Sequence, residues 1–277
     1  LAADGPPVCS DELLRELFQR TQQHLAHEAR PGNLLRVLGL LVEQVRDDSG
    51  AVRPASLDDV LTLLSRLSGL PMPVLDDRSG LDLRALRAAF TARVMGQPEA
   101  VDCLCERIAM LKAGLCDPKR PIGVFLFTGP TGTGKTELCR ALAEYLFGSE
   151  DRMLRLDMSE FQHPESIGRL LGDADEVHGR QALVHKIREQ PFAVVLLDEI
   201  EKAHPMVFDV FLQVFDEGRL TDRRGRVADF RHAIVIATSN LGVRALEGAG
   251  LGFGERRPDL QRALEEVFRR EFLNRID

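Results

Sequence analysis

The residues best suited to chemistry lie in one stretch, which reads GVFLFTGPTGTGKT from Gly123 to Thr136. An apolar run leads into a glycine-rich loop, and a predicted helix begins at Lys135. Such loops bind phosphates because bare backbone N–H groups can approach the anion and the helix N-terminus adds its positive dipole end. The lysine then places a cation on the β- and γ-phosphates of ATP, and the threonine hydroxyl reaches Mg²⁺. The predicted nucleotide-binding residues are Gly129, Pro130, Thr131, Gly132, Thr133, Gly134, Lys135 and Thr136.

A pair of carboxylates follows the apolar run Phe192–Leu197, which predicts a buried strand ending in Asp198-Glu199. Alone, the pair would be an ordinary acidic strand end. Beside a phosphate loop, Asp198 can give Mg²⁺ a second protein ligand, and Glu199 can polarise a water for attack on the γ-phosphate. The combination favours ATP hydrolysis. A P-loop kinase for small molecules and a pure nucleotide-binding module are the alternatives.

A polar amide follows another predicted strand, Ala233–Thr238, which runs into Ser239-Asn240. On a strand next to the phosphate loop, Asn240 would lie beside the γ-phosphate and help to orient the water. An isolated asparagine there would instead be a cap or turn residue. The C-terminal stretch Asn274–Asp277 resembles the Asn-Lys-x-Asp pattern of guanine recognition, but it follows a helical pattern and has Arg275 in place of lysine. We therefore reject a GTPase.

Composition limits the remaining classes of function. The chain has 277 residues, of which 44% are hydrophobic and 29% are charged, as in an ordinary globular protein. A net charge of −7 and a pI of about 5.6 argue against a protein that coats nucleic acid. No apolar run approaches the ~20 residues of a membrane span, and no signal-peptide pattern is present. The five cysteines lack CxxC pairs and histidine partners, which predicts reduced thiols in a cytoplasmic protein.

Hydrophobic periodicity predicts two kinds of architecture. Helical spacing runs from Ser10 to Leu70, with Ser10 and Ser56 as N-caps and Leu70-Pro71-Met72-Pro73 ending the bundle. Two more helices are predicted near 81–90 and 98–113. From Gly123 onward strands alternate with helices, which is typical of a parallel sheet covered on both faces. These segments are Val124–Phe127, Glu137–Phe147, Met153–Leu156, Gln181–Gln190, Phe192–Leu197, Pro205–Phe215, Ala233–Thr238 and Asp259–Phe272.

Several long motifs together resemble one known family. They read RPIGVFLFTGPTGTGKTEL, LRLDMSEF, VVLLDEIEKAHPMVFDVFLQVFDEGRLTD, ATSNLG and EFLNRID, in that order, over residues 94–277. The resemblance is to the second ATPase ring of the Clp-type AAA+ unfoldases (ClpA, ClpB and ClpC). It implies an α/β fold, with a P-loop AAA+ parallel sheet flanked by helices and a small all-helical N-terminal subdomain.

The same resemblance implies a domain organisation. Residues 1–73 would be the helical lid of a preceding ATPase domain, 74–93 a linker and helix, and 94–277 the large nucleotide-binding subdomain. The family's C-terminal lid, with its sensor arginine, does not follow Asp277. We therefore expect this sequence to be part of a longer chain.

The resemblance also implies roles for individual residues. Asn240 would be the sensor on the neighbouring strand, while Val94 and Met95 would pack on the adenine. Arg275, in the motif Leu-Asn-Arg-Ile-Asp, would be an arginine finger that reaches the nucleotide of a neighbouring subunit. Without that motif, Arg275 would be an ordinary solvated arginine at a helix end. A finger supplied in trans implies a homo-hexameric ring.

Two loops bear on the partners of such a ring. Family members carry a Gly-Tyr-Val-Gly loop whose aromatic grips polypeptide in the pore, but here Gly172–Arg180 reads GDADEVHGR and has no aromatic residue. Because gripping an arbitrary chain needs a flat apolar wedge, this loop argues against substrate threading. Leu251-Gly252-Phe253 resembles the tripeptide that docks on a ClpP-like peptidase, although an ordinary glycine-rich loop is the alternative.

The sequence thus predicts an ATP-hydrolysing chaperone motor that remodels protein substrates as a hexameric ring, with ATP and Mg²⁺ as cofactors and no nucleic acid or membrane partner. The alternative is an ATP-dependent scaffold or regulatory ring that does not thread substrate.

Overall fold

The computed structural model describes residues 8–24, 32–47, 49–68, 70, 72–76, 78, 82–113, 115, 117, 119–172, 182–241 and 260–277. The chain separates into two compact units. One comprises Leu1–Gly80 with Leu146–Gly148, and the other comprises Leu81–Tyr145 with Ser149–Asp277. The domain limits inferred from the sequence remain a prediction.

The N-terminal unit is a small helical bundle. Its helices, in chain order, are Asp11–His24, Gly32–Gln44, Leu57–Ser68 and Met72–Leu75. Their buried faces carry the apolar residues spaced at helical intervals, including Leu17, Val37, Leu41, Val60, Leu61 and Leu64. The predicted cap at Ser10 is present, because its hydroxyl accepts a hydrogen bond from the N–H of Leu13 at 3.1 Å.

The two prolines had predicted that the bundle ends at Leu70–Pro73, but it continues beyond them. A fourth short helix continues through Met72–Leu75. Leu75 is buried, and its carbonyl accepts a hydrogen bond from the guanidinium of Arg20. These tertiary contacts stabilise a turn that the local sequence disfavours.

The second unit contains the remaining helices. They are Leu83–Arg93, Pro98–Lys112, Lys135–Phe147 (whose last two residues group with the first unit), Ile167–Leu171, Leu183–Glu189, Pro205–Glu217, Leu260–Val267 and Arg270–Leu273. Short 3-10 turns lie at Glu150–Arg152, Met158–Phe161, Pro164–Ser166 and Ile200–Lys202. No described helix has the length and apolar character needed to cross a membrane.

A parallel sheet forms the centre of the second unit. Its strands are β1 (Gly123–Thr128), β2 (Met153–Asp157), β3 (Val194–Asp198) and β6 (Ile234–Ser239), arranged in the order β1-β6-β3-β2. All three pairings are parallel, which confirms the predicted sheet. Because β6 lies between β1 and β3, the carboxyl ends of these three strands are neighbours at one edge of the sheet.

The second unit also contains a β-hairpin that the sequence patterns did not predict. It pairs β4 (Arg219–Thr221) with β5 (Val227–Asp229) in antiparallel register. Each strand has only three residues, too few for alternation to show. The buried carboxylate of Asp222 holds the turn by accepting hydrogen bonds from the backbone N–H groups of Arg224 and Arg226.

The helix predicted over 259–272 is interrupted. Its two pieces are Leu260–Val267 and Arg270–Leu273, with Arg269 in an extended conformation between them. Phe268 and Phe272 are both buried and stack on each other at 5.7 Å. Both also contact the ring of Phe208 in the helix Pro205–Glu217. We attribute the break to this packing, because local propensity alone would continue the helix.

Candidate functional site

The glycine-rich loop joins β1 to the helix that begins at Lys135, as predicted. Gly134 has φ +90°, a backbone conformation that side chains rarely adopt. A Cβ atom at this position would also lie 3.0 Å from Cγ1 of Val94. Glycine at 134 therefore keeps the loop backbone both bare and close to Val94.

Lys135 lies across the inner side of this loop. Its Nζ donates hydrogen bonds to the carbonyl oxygens of Gly129 at 2.6 Å and Pro130 at 2.9 Å, and to Oδ1 of Asn240 at 3.2 Å. Burial lowers the pKa of Lys135, and the charges of nearby Asp198, Glu201 and Glu199 oppose that shift. A partly desolvated ammonium in such a setting is suited to bind an anion.

Asp198 and Glu199 lie at the end of β3, beside the loop. One oxygen of Asp198 accepts a hydrogen bond from the hydroxyl of Thr238 at 2.5 Å, and the other accepts from Arg155 at 2.6 Å. Glu199 has φ +57°, the only positive φ of a non-glycine residue in the described part of the chain. A left-handed conformation of this kind costs roughly 1–2 kcal/mol. The backbone N–H of Glu199 donates a hydrogen bond to Oγ1 of Thr238 at 3.1 Å.

Asn240 joins the two halves of the site. Its Nδ2 donates to Oε1 of Glu199 at 3.1 Å, while its Oδ1 accepts from Lys135. Its backbone N–H donates to Oε1 of Glu201 at 2.9 Å. Oε2 of Glu201 is buried and has no hydrogen-bond partner among the described residues. The structure thus brings together the lysine, the glutamate and the asparagine that the sequence had singled out separately.

These residues surround an open cleft of about 460 Å³. Its lining includes the predicted residues Thr131, Gly132, Gly134, Lys135, Thr136, Asp198, Glu199 and Asn240, and also Glu137, Arg140 and Arg155. Arg155 was not among the residues predicted from the sequence, although it occurs within the motif LRLDMSEF. The available signal was a charged residue in the middle of a predicted strand, at a position that an apolar residue would normally occupy.

The donor set of the cleft is suited to Mg²⁺ that arrives with a nucleotide. Thr136 and Asp198 contribute oxygen atoms to the same cleft. Nowhere in the described residues do three or more His, Cys, Asp or Glu side chains form a cluster able to hold a metal ion. Mg²⁺ usually needs only one or two protein carboxylates, because water and substrate phosphates complete its coordination.

The two predicted adenine contacts behave differently. Val94 is 4% exposed and its side chain lies against Gly134, whereas Met95 is 85% exposed. The preceding Arg93 forms ion pairs with Glu137, Glu144 and Glu150. These pairs join Arg93, next to Val94, to the helix Lys135–Phe147 and to the turn that follows it. Neither Val94 nor Met95 lines the cleft itself.

Arg275 is not among the residues that line the cleft of its own chain. Its Nε donates to Oδ1 of Asp216 at 2.5 Å, and its carbonyl accepts from Arg120 at 3.0 Å. The loop 173–180 and the tripeptide Leu251-Gly252-Phe253 lie outside the described residues, so their predicted contacts stay predictions.

Sequence comparisons identify relatives of this chain. The family model described as "AAA domain (Cdc48 subfamily)" matches residues 120–277. The ATP-dependent Clp protease ATP-binding subunit ClpC of Staphylococcus aureus (strain USA300) is 42% identical over 242 residues, covering 83% of this chain and 30% of the relative. The chaperone protein ClpB of Vibrio cholerae is 45% identical over 224 residues, covering 79% and 26%. The chain thus spans less than a third of the length of these two relatives.

Solved structures show the same fold. The S. cerevisiae Hsp104–ADP complex matches with a TM-score of 0.81 and 31% identity, covering 97% of this chain and 47% of that chain. The extended conformation of the S. cerevisiae Hsp104–casein complex matches with a TM-score of 0.79 and 32% identity over the same fractions. These matches confirm the predicted α/β architecture, a parallel sheet flanked by helices.

Proposed function

The chain belongs to the Clp-type AAA+ ATPases, and on that premise we propose that it is an ATP-hydrolysing motor module which remodels proteins. The observation that carries the proposal is the contact network in which Asn240 joins Lys135 to Glu199. Through the amide of Asn240, it links a phosphate-binding cation to a carboxylate that can activate water. A pure binding module would need the first of these groups but not the second.

The site residues predicted from the sequence each have a role in the proposed reaction. The loop from Gly129 to Gly134 and Lys135 hold the phosphates of ATP. Thr136 and Asp198 would hold Mg²⁺, which when bound neutralises charge on the phosphate oxygens. Glu199 accepts a proton from the attacking water, and Asn240 keeps the carboxylate of Glu199 oriented.

The proposal extends to assembly and substrate. Arg275 lies away from its own cleft, as a residue that completes a neighbour's site would, and this supports a homo-hexameric ring. ClpC is named as the ATP-binding subunit of a Clp protease, ClpB is named as a chaperone, and one Hsp104 structure is a complex with casein. We therefore propose a protein substrate. The scaffold ring that does not thread substrate is not favoured by this set of relatives. Contact with a ClpP-like peptidase through Leu251–Phe253 and a cytoplasmic location stay predictions.

Exchange of Glu199 for glutamine tests the reaction. Glu199→Gln keeps the side-chain shape but removes the base, so ATP turnover should fall by about 100-fold or more while ATP binding is retained. Phosphate release and the binding of a fluorescent ATP analogue are measured on the full-length protein. As a matched control, Glu43→Gln changes an exposed glutamate of the helical bundle and should leave both quantities unchanged. Undiminished phosphate release from the Glu199 variant would exclude the assignment.

A further inference from the structure

Thr238 lies at the carboxyl end of β6, in the middle of the sheet, and is 1% exposed. Its hydroxyl acts both as a donor and as an acceptor to residues at the end of β3. It donates to Oδ1 of Asp198 at 2.5 Å and accepts from the N–H of Glu199 at 3.1 Å. A single side chain therefore contacts both residues of the carboxylate pair.

This contact begins where the backbone ladder ends. The register of β3 with β6 stops at the pair Leu197 and Ala237. Asp198 and Glu199 lie just beyond it, where the hydroxyl of Thr238 accepts a hydrogen bond from the backbone N–H of Glu199 and donates to the Asp198 carboxylate. The bond to Glu199 falls on the residue with the left-handed backbone. A strained backbone of this kind persists only where its surroundings hold it in place.

The orientation of the Glu199 carboxylate depends on that backbone conformation. Its two oxygens accept hydrogen bonds from Asn240 at 3.1 Å and from Lys202 at 2.6 Å. If the peptide N–H of Glu199 lost its acceptor, relaxation toward an ordinary φ would redirect the side chain away from these two donors. Asp198 would at the same time lose one of its two side-chain partners.

We propose that Thr238 is a positioning residue for ATP hydrolysis, whose hydroxyl fixes the Asp198 carboxylate and the Glu199 backbone in the geometry that the reaction requires. This inference rests on the proposed function. Thr238 acts through the two acidic residues and does not line the cleft. Its loss should therefore lower kcat while leaving ATP affinity largely intact, because the phosphate loop and Lys135 are unchanged.

Two substitutions separate the hydroxyl from the shape of the side chain. Thr238→Val keeps the branched shape and removes both hydrogen bonds, whereas Thr238→Ser keeps the hydroxyl. We expect kcat of the valine variant to fall by about 10- to 100-fold, with the KM for ATP within about threefold of wild type. The serine variant should recover most of kcat. A packing role alone would predict the opposite order, because valine preserves volume and serine does not.

A buried threonine elsewhere gives a matched control. Thr21 is also 1% exposed, and its Oγ1 has no hydrogen-bond partner in the described residues. Thr21→Val should leave kcat and KM unchanged. If the valine variant does not fold, Thr238→Ala takes its place, because alanine also removes the hydroxyl and its smaller side chain fits the buried position.

The outcomes are distinguishable. Steady-state ATP turnover and binding of a fluorescent ATP analogue are measured on the full-length protein, with thermal unfolding to verify folding. A folded Thr238→Val or Thr238→Ala variant with wild-type kcat would overturn the positioning role while leaving ATP hydrolysis intact. An absence of turnover in the wild-type protein would instead refute the proposed function, and this inference with it.

Discussion

At the scale of single residues, the cleft depends on side chains that each contact two partners. Asn240 contacts Lys135 and Glu199 through the two ends of its amide. Thr238 contacts Asp198 and Glu199 through one hydroxyl. Because each of these groups constrains two others, a change at one position is expected to affect the whole site, and double substitutions should not be additive.

Gly134 gives a prediction at this scale. In Gly134→Ala the new methyl group would meet Val94 at a backbone conformation that alanine rarely adopts. The loop must shift, so affinity for a fluorescent ATP analogue should fall about fivefold or more, given roughly 1–3 kcal/mol of strain. The measurement is a binding titration on the full-length protein.

The control for this substitution is Gly225→Ala. Gly225, in the hairpin turn, has φ +76° but no neighbouring atom within 4 Å of a new Cβ. Its backbone strain is comparable, yet nucleotide affinity should be unchanged. Equal losses in the two variants would mean that general destabilisation, and not the contact with Val94, causes the effect.

At the scale of elements, the site exists because three strand ends are adjacent. β6 lies between β1 and β3, which places Asn240 between the phosphate loop and the carboxylate pair. In the helical bundle, by contrast, a local capping motif stabilises the start of one helix. Ser56 and Asp59 form a capping box at the start of the helix Leu57–Ser68, in which each side chain accepts a hydrogen bond from the other residue's backbone N–H.

Asp59 predicts a pH dependence of stability. Hydrogen bonds from Arg53 and then Ser56 lower the pKa of the Asp59 carboxyl below its usual value. Since the folded-state pKa is lowered, the stabilisation is fully present above the unfolded pKa of about 4 and is lost as pH falls below it. Asp59→Ala should cost about 1 kcal/mol at pH 7. This difference from wild type should shrink between about pH 4 and pH 2.

The neighbouring Asp58→Ala is the control for the cap. Asp58 is 73% exposed and pairs with Arg78 at the surface, so its loss should cost well under about 1 kcal/mol. Thermal or denaturant unfolding of the full-length protein across this pH range gives both differences. A constant difference between Asp59→Ala and wild type from pH 7 to pH 2 would contradict the prediction.

At the scale of the whole molecule, Arg275 predicts shared sites. If its guanidinium completes the site of a neighbour, Arg275→Ala should lower kcat by about 1,000-fold while ATP binding persists, as for other arginine fingers. Mixing this variant with Glu199→Gln should restore part of the turnover. In a mixed ring, the site of an Arg275→Ala subunit keeps its own Glu199 and can be completed by Arg275 from a neighbouring Glu199→Gln subunit. Phosphate release from the mixture is compared with that of each variant alone.

Asp216 supplies the control for Arg275. In the described structure the two residues form an ion pair. Asp216→Ala removes the pair but leaves the guanidinium, so turnover should persist. If both variants lost turnover equally, and mixing restored none, Arg275 would have only a structural role within its own chain.

The sequence by itself determined the local parts of this protein. The loop Gly129–Gly134, the carboxylates at the end of β3 and the parallel α/β pattern were all predicted, because backbone chemistry and strand burial leave signatures within a few residues. The tertiary structure decided what those parts contact. It brought Thr238 and Arg155 into contact with Asp198 and paired Arg275 with Asp216. It also packed Phe268 and Phe272 against Phe208, where the predicted helix is interrupted. Such contacts join residues far apart in the chain, and they depend on strand order and packing, which no local pattern specifies.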